Sequence, residues 1–205
     1  MGYKLHLALS LHNHTNMSDG EMGIHDLLKL LSTKYQVIAI TDHDALTIPH
    51  PLHLKGLRKK FLLLRGIEYS AYGMVHLLGL EPTNSTGTPI EVWDSCRVKW
   101  ISHPRLSDLS SHEIDNLLKN FPDINGLEIF NSGILQICDN TDEFKGLNFY
   151  ASDDLHMHYQ FRASWMEMDV DKLDKEEIIK KLISGEFTIC TSNLARNPLS
   201  IFSLS

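Results

Sequence analysis

Two histidines separated by one residue, in Leu11-His12-Asn13-His14-Thr15, open the list of side chains that could do chemistry. They follow an apolar run of strand character, where residues i and i+2 face the same way, so both imidazoles could meet one ion. Ser18-Asp19-Gly20 comes next. Taken alone it reads as a helix start, with Ser18 or Asp19 as the cap and Gly20 easing the turn. The apolar run Val37-Ile38-Ala39-Ile40-Thr41 leads directly into Asp42-His43-Asp44. A carboxylate beside a histidine fixes its tautomer and raises its basicity as a ligand, so this is the sharper signal.

Three more positions stand at ends of apolar runs: Glu68 in Gly66-Ile67-Glu68, His76 in Val75-His76-Leu77-Leu78-Gly79, and His103 in Ser102-His103-Pro104. Each has a plain alternative. Glu68 could be a paired acid, His76 a hydrogen-bonded core histidine and His103 a turn residue. The last cluster is Ser152-Asp153-Asp154-Leu155-His156, where Asp154 and His156 again share an i, i+2 face. If the chain forms an α/β barrel, these strand ends converge on its C-terminal face, which the separate alternatives do not explain. His50 and His53 lie in the break around Pro49-His50-Pro51 and read as surface residues.

In order and combination, these motifs resemble the polymerase and histidinol phosphatase (PHP) superfamily, over nearly the whole chain. The resemblance implies that His12, His14, Glu68 and Asp154 hold one metal, and that Glu68 bridges to a second held by His76 and His103. It also implies a third metal on Asp19, His43 and His156. The implied fold is a distorted seven-stranded β/α barrel, TIM-like, forming a single domain over residues 1–205, with the metals at the C-terminal strand ends. One departure is Ser-Asp-Asp-x-His where the family commonly has Ser-Asp-x-His. The D-x-H spacing selects Asp154 as ligand and leaves Asp153 for a supporting role or proton transfer.

The implied activity is hydrolysis of a phosphate monoester of a small metabolite or nucleotide. Nitrogen and oxygen ligands without thiolate suit two to three ions of Mn, Fe or Zn. Metals sharing Glu68 would lower the pKa of a water between them, giving a hydroxide nucleophile near neutral pH. Arg105 and Arg162 are candidates to grip phosphate oxygens, since guanidinium forks match them. The competing reading is a noncatalytic metal-binding PHP module, structural or associated with a polymerase. It predicts lost ligands, and every matching position here holds a ligand-capable side chain. Amide hydrolysis on a related barrel is a third reading.

Strands are expected at 4–11, 37–41, 61–67, 74–80, 98–102, 126–130, 147–151, 164–168 and 187–190. Helical periodicity marks 23–33 and 174–184, with Gly185 as a stop, and Ser110-x-x-Glu113 resembles a capping box. This alternation predicts a largely parallel sheet. Residues 81–89, bounded by prolines, read as a polar loop too short to link domains.

The 205 residues suffice for one sizeable core, and the apolar share of 42% and charged share of 22% are ordinary for a globular chain. No apolar run predicts a membrane span. No export or lipid signal is read at the N-terminus. Three cysteines, Cys96, Cys138 and Cys190, lack paired spacing, which together predicts a reducing cytoplasm. A net charge of -7 argues against an extensive nucleic-acid surface, so the expected partner is a small phosphorylated substrate. Twelve histidines against 19 lysines and arginines are the compositional mark of a metal site.

Overall fold

The computed structural model describes residues 3–57, 60–71, 74–132, 134–135, 144 and 146–192. Cys138 lies outside them. The strands are β1 (Leu5–Ser10), β2 (Val37–Ile40), β3 (Leu62–Ser70), β4 (His76–Pro82), β5 (Cys96–Ile101), β6 (Gly126–Asn131), β7 (Ile134–Leu135), β8 (Asn148–Ser152), β9 (Ser164–Val170) and β10 (Thr188–Thr191). The helices are α1 (Ile24–Leu31), α2 (Pro89–Asp94), α3 (Ser111–Asn120) and α4 (Lys175–Ser184). All ten strands join one sheet in the order β10-β9-β1-β2-β3-β4-β5-β6-β7, with β8 on β6. This is a mixed α/β fold with a curled sheet, and it has more strands than the seven implied by the resemblance.

The expectation of a largely parallel sheet needs correction. Pairs β1-β2, β2-β3, β5-β6 and β6-β8 are parallel, whereas β3-β4, β4-β5, β1-β9, β9-β10 and β6-β7 are antiparallel. The reason is local: only residues 71–75 link β3 to β4, too few for the crossover a parallel pair needs. Apolar runs report that a strand is buried, not which way it points.

Curling splits the core into an inside and an outside. Leu7, Leu9, Val37, Ala39, Leu78, Trp100 and Met166 fill the inside, where Ile178, Ile179 and Leu182 of α4 join them. Arg97 of β5 pairs with Glu176 of α4, and Tyr150 of β8 donates to the carbonyl of Leu182, so α4 covers the end where those strands begin. On the outside, α1 covers β2 through Leu27, Leu28 and Leu31 against Ile38 and Ile40. Helices α2 and α3 cover the opposite wall through Val92, Trp93 and Ile114. With both faces buried, β2 is apolar at every position, as expected of a central parallel strand.

Local signals explain most helix limits. The Ser110 hydroxyl accepts from Glu113 N while Glu113 caps Ser110 N, and Asp174 caps α4 at Glu177 N. Gly185, at φ 75°, ends α4 in the left-handed conformation that glycine adopts freely. The polar loop expected at 81–89 runs into α2, whose start is fixed by Glu91 accepting from Thr88 N and by Pro89 at the first position. Among the described residues, no helix is long and apolar enough to cross a membrane.

Candidate metal centre

Beyond Ser10 the chain continues β1 in an extended ladder. His14 N donates to Leu155 O, Leu155 N to His12 O, and Thr41 N to Asn13 O. Asn13 therefore points one way, into Ala39 O and Ser10 O, while His12 and His14 point the other, their rings 5.1 Å apart. The same ladder brings Asp154 opposite them. His12 Nε2 lies 3.1 Å from Glu68 Oε2 and 3.2 Å from Asp154 Oδ1, and His14 Nε2 lies 3.2 Å from both oxygens.

The other oxygen of Glu68 faces a second set. Oε1 lies 3.3 Å from His103 Nε2 and 3.7 Å from His76 Nδ1, and those two nitrogens are 3.3 Å apart. A third set surrounds Asp19, whose Oδ2 is 3.2 Å from His156 Nε2 and 3.5 Å from His43 Nε2. His14 Nδ1 stands 3.5 Å from Asp19 Oδ1, joining this set to the first. Thus the structure gathers all nine ligand candidates read from the sequence into one cluster.

Whether the cluster fits metal ions is tested by atoms that lack partners. His12 Nε2, His14 Nε2, both oxygens of Glu68 and Asp154 Oδ1 are buried and make no hydrogen bond. Buried polar atoms are nearly always paired, so five orphans in one place point at something held between them. Donors held about 2.0–2.2 Å from one ion stand roughly 3–3.5 Å from each other, which is the spacing found here. Imidazole and carboxylate without thiolate match the chemistry of Zn, Mn or Fe.

Electrostatics agree. Burial opposes charge on His12, but Asp154, Glu68 and Glu128 raise its pKa well above the ordinary histidine value. Against the same burial, the Asp154 and Glu68 carboxylates beside it bring His14 up to about 9. Burial pushes Glu68 and Asp154 upward, and the surrounding histidines override it and hold both well below the usual carboxylate range. His76 goes the other way, pushed down to about 4 by burial. In the metal-free chain, protons on His12 and His14 therefore neutralise the central carboxylates, and bound cations would displace them.

Backbone geometry shows where the chain bends to make this possible. His103 has φ 26° and Asp154 φ 47°, both left-handed values that are rare for residues with side chains and that cluster at functional sites. A Cβ on Gly20 would come within 2.4 Å of His14 O, so only glycine allows Asp19 to sit so close to His14.

Several expectations need correction. Asp19 caps no helix: α1 begins five residues later, with Gly23 as its N-cap. Neither carboxylate flanking His43 sets its tautomer. Asp42 accepts from Thr15 N, Thr15 Oγ1 and Ser18 Oγ, and Asp44 from Ser70 N, while His43 Nδ1 faces Ser70 Oγ at 3.4 Å. Asp153, expected to support the ligands or move a proton, accepts from Tyr35 Oη and from the backbone N–H groups of Arg162, Ala163 and Ser164. All four donors lie away from the metal ligands, so it ties down the 162–164 turn instead. Arg162 stacks its guanidinium over Trp165 at 4.8 Å, and Arg105 is exposed with its guanidinium toward Leu135 O. His50 is exposed and caps the short helix Pro51–Leu54, in which His53 is half-buried, and neither reaches the ligand cluster.

The residue that sequence reasoning missed is Glu128, on β6. It is fully buried and accepts from His12 Nδ1 at 3.2 Å, His103 N at 2.9 Å, Asn131 Nδ2 at 2.9 Å and Ser152 Oγ. The available signal was an acid inside the apolar run Gly126-Leu127-Glu128-Ile129-Phe130, where burial is costly unless the charge is fully bonded.

No protein-family model matches the chain, and no curated protein sequence matches it. Solved structures do. A two-domain protein from Bacteroides vulgatus, described as containing a predicted PHP-like metal-dependent phosphoesterase, superposes with TM-score 0.67 at 14% identity. The match covers 92% of this chain and 65% of that one, so this chain spans about two-thirds of its length. PsfC from Pseudomonas syringae superposes with TM-score 0.61 at 10% identity, covering 96% of each chain. An amidohydrolase from Chromobacterium violaceum, with bound sulfate and no metal, gives TM-score 0.50 at 15% identity over 92% of this chain and 99% of that one. At such identities the likeness is one of fold. One of these fold neighbours is described with the superfamily that the motifs resemble.

Proposed function

We propose that the protein hydrolyses phosphate monoesters of small metabolites or nucleotides at a centre of two or three divalent metals. The observation that carries this reading is Glu68, whose two orphaned oxygens face different histidines, Oε2 facing His12, His14 and, at 3.5 Å, His43, and Oε1 facing His76 and His103, the arrangement of a carboxylate shared between two ions. His12, His14 and Asp154 would complete one site, His76 and His103 the second, and Asp19, His43 and His156 the third. Bound divalent ions would supply positive charge to phosphate oxygens and lower the pKa of an attacking water.

The chain's own residues set the charge of the site. Three carboxylates and six neutral imidazoles would leave up to three divalent ions only partly neutralised, so a phosphate dianion is attracted although the chain carries a net charge of -7. No arginine grip is required. The link from β4 to β5 is occupied by α2 packed on the outer wall, not by a segment placed over the ligands. That favours an open site for a compact ester.

The test is to reconstitute the protein separately with Mn, Fe and Zn and screen a panel of phosphate esters, with amides included because one fold neighbour is an amidohydrolase. Two to three equivalents of metal and phosphate release that a chelator abolishes are expected. Metal below one equivalent with no ester cleaved would favour the noncatalytic module, and amide cleavage without phosphate release would favour amide hydrolysis.

A further inference from the structure

Four donors converge on the two oxygens of Glu128, a demand that a carboxylate meets with both oxygens and an amide cannot. Oε1 faces His12 Nδ1 at 3.2 Å and would keep a ring proton there, so that once a cation displaces the second proton Nε2, beside Glu68 Oε2 and Asp154 Oδ1, is left as the ligand atom. Oε2 accepts the backbone N–H of His103, the residue at φ 26° whose Nε2 faces the opposite oxygen of Glu68. Asn131 Nδ2 extends the network from Glu128 Oε2 to Asp154 Oδ2, at 2.9 Å from each.

We propose that Glu128 is a positioning residue that couples the loading of the two metals sharing Glu68, because one carboxylate orients a ligand of each. The proposal rests on the metal-centre reading above. His12 is held through its ring and His103 through its backbone. Tightening one ligand fixes the carboxylate that orients the other, and Glu68 joins the two ions a second time. Among the described residues, the hydrogen bonds of Glu128 reach none of Asp19, His43 and His156, so the third site is touched only at one remove, through His14 and through the contact of His156 Nδ1 with Asp154 O.

Glutamine in place of Glu128 must fail on one side. With its NH2 toward His12, the ring proton moves to Nε2 and covers the lone pair meant for the metal. With its NH2 toward Oε2's partners, the His103 N–H loses its acceptor and the strained turn is released. Either orientation damages one site directly and the other through the shared carboxylates.

The experiment is a Co2+ titration of metal-stripped wild type, Glu128→Gln, Ser152→Ala and Glu81→Gln, read by calorimetry and by metal analysis after dialysis. In Glu128→Gln, affinity for both ions of the Glu68 pair should fall together by about 10–100-fold, the usual effect of losing such a partner, with the third ion affected least. Ser152→Ala, which removes one of the four donors, should move the same pair in the same direction by less. Glu81 is a buried glutamate bonded to Arg65 and Lys175 at the other end of β4, so Glu81→Gln should lower the thermal midpoint without changing Co2+ affinity. Wild-type Co2+ binding by Glu128→Gln, or weakening of only one ion of the pair, would overturn the coupling. If Glu128→Gln does not fold, unchanged affinities in Ser152→Ala overturn it. A wild type that binds no Co2+ would instead remove the metal-centre reading itself.

Discussion

The Glu68 group and the Asp19 group are built from the same residue types but from opposite kinds of surroundings. His12, His14 and Glu68 have side chains with no exposure, whereas Asp19 is 55% exposed and His43 and His156 about a fifth. Charge at His12, His14 and Glu68 must be matched from within the protein, because water cannot reach it, whereas His76 at the edge of that group is 19% exposed, like His43. In the second group solvent can screen or replace any missing partner. The buried group is therefore rigid and sensitive to a single substitution, and the exposed group is adjustable and tolerant.

The largest effect should come from breaking the buried group at its centre. Glu68→Gln removes the charge that two sets of histidines surround, and an amide offers each set either an N–H or a weaker oxygen. Turnover should fall to background and metal content should drop by the two shared ions, while His112→Ala on the exposed face of α3 leaves both unchanged. Similar rates for the two variants would dissolve the contrast between the groups.

A second measurement uses pH. The pKa of His14 is raised from 6.5 to about 9, so in the metal-free protein its pairing stabilises fully below pH 6.5 and is lost as pH rises toward 9. His12, raised by the same carboxylates, acts in the same direction. The depressed pKa of His76, about 4, gives stability present above 6.5 and lost below it, outside that window. The thermal midpoint of stripped protein should therefore fall between pH 6.5 and 9, and that of metal-loaded protein should not. Parallel curves would mean that the metals do not replace the protons. Smaller again should be Asp19→Asn, which weakens the exposed set. One metal equivalent should leave, activity should drop in part, and stability should hold. Unchanged stoichiometry and rate would reduce the centre to two ions.

Much of this contrast was legible in the sequence, but unevenly. Each of the nine expected strands is present, shifted by a few residues at its limits, because apolar runs between turn signals report burial directly. The two-residue β7 and the six-residue α2 escaped, being too short to show a period. Strand direction was misread because it is set by connection length. At the site, His12 with His14 and Asp154 with His156 could be paired from i, i+2 spacing, while the joining of Asp154 to His12 and His14 came only from the resemblance. Asp19 looked like a cap because its partners, His43 and His156, are distant in sequence. Asp153 and Glu128 were exchanged in importance for one reason: what a buried acid does depends on which donors the fold brings to it. Asp153 meets the 162–164 backbone, and Glu128 meets His12 and His103.

That exchange yields the smallest expected effect on chemistry. Burial raises Asp153 to about 6, partly opposed by hydrogen bonds from the Ser164, Arg162 and Ala163 backbone and from Tyr35. A carboxyl raised from 3.8 to about 6 on folding stabilises most below pH 3.8, and that contribution is lost as pH rises toward 6. Asp153→Asn cannot titrate, and its NH2 would meet donors on one side, so the fold should lose about 1–3 kcal/mol. The difference in stability between wild type and variant should change across pH 3.8 to 6 and be flat above it. Metal content and the pH profile of turnover in the folded variant should match wild type, since no bond of Asp153 reaches a metal ligand among those described. A shifted pH–rate profile in this variant would return Asp153 to proton transfer and show that the buried half of the centre extends further than its ligands.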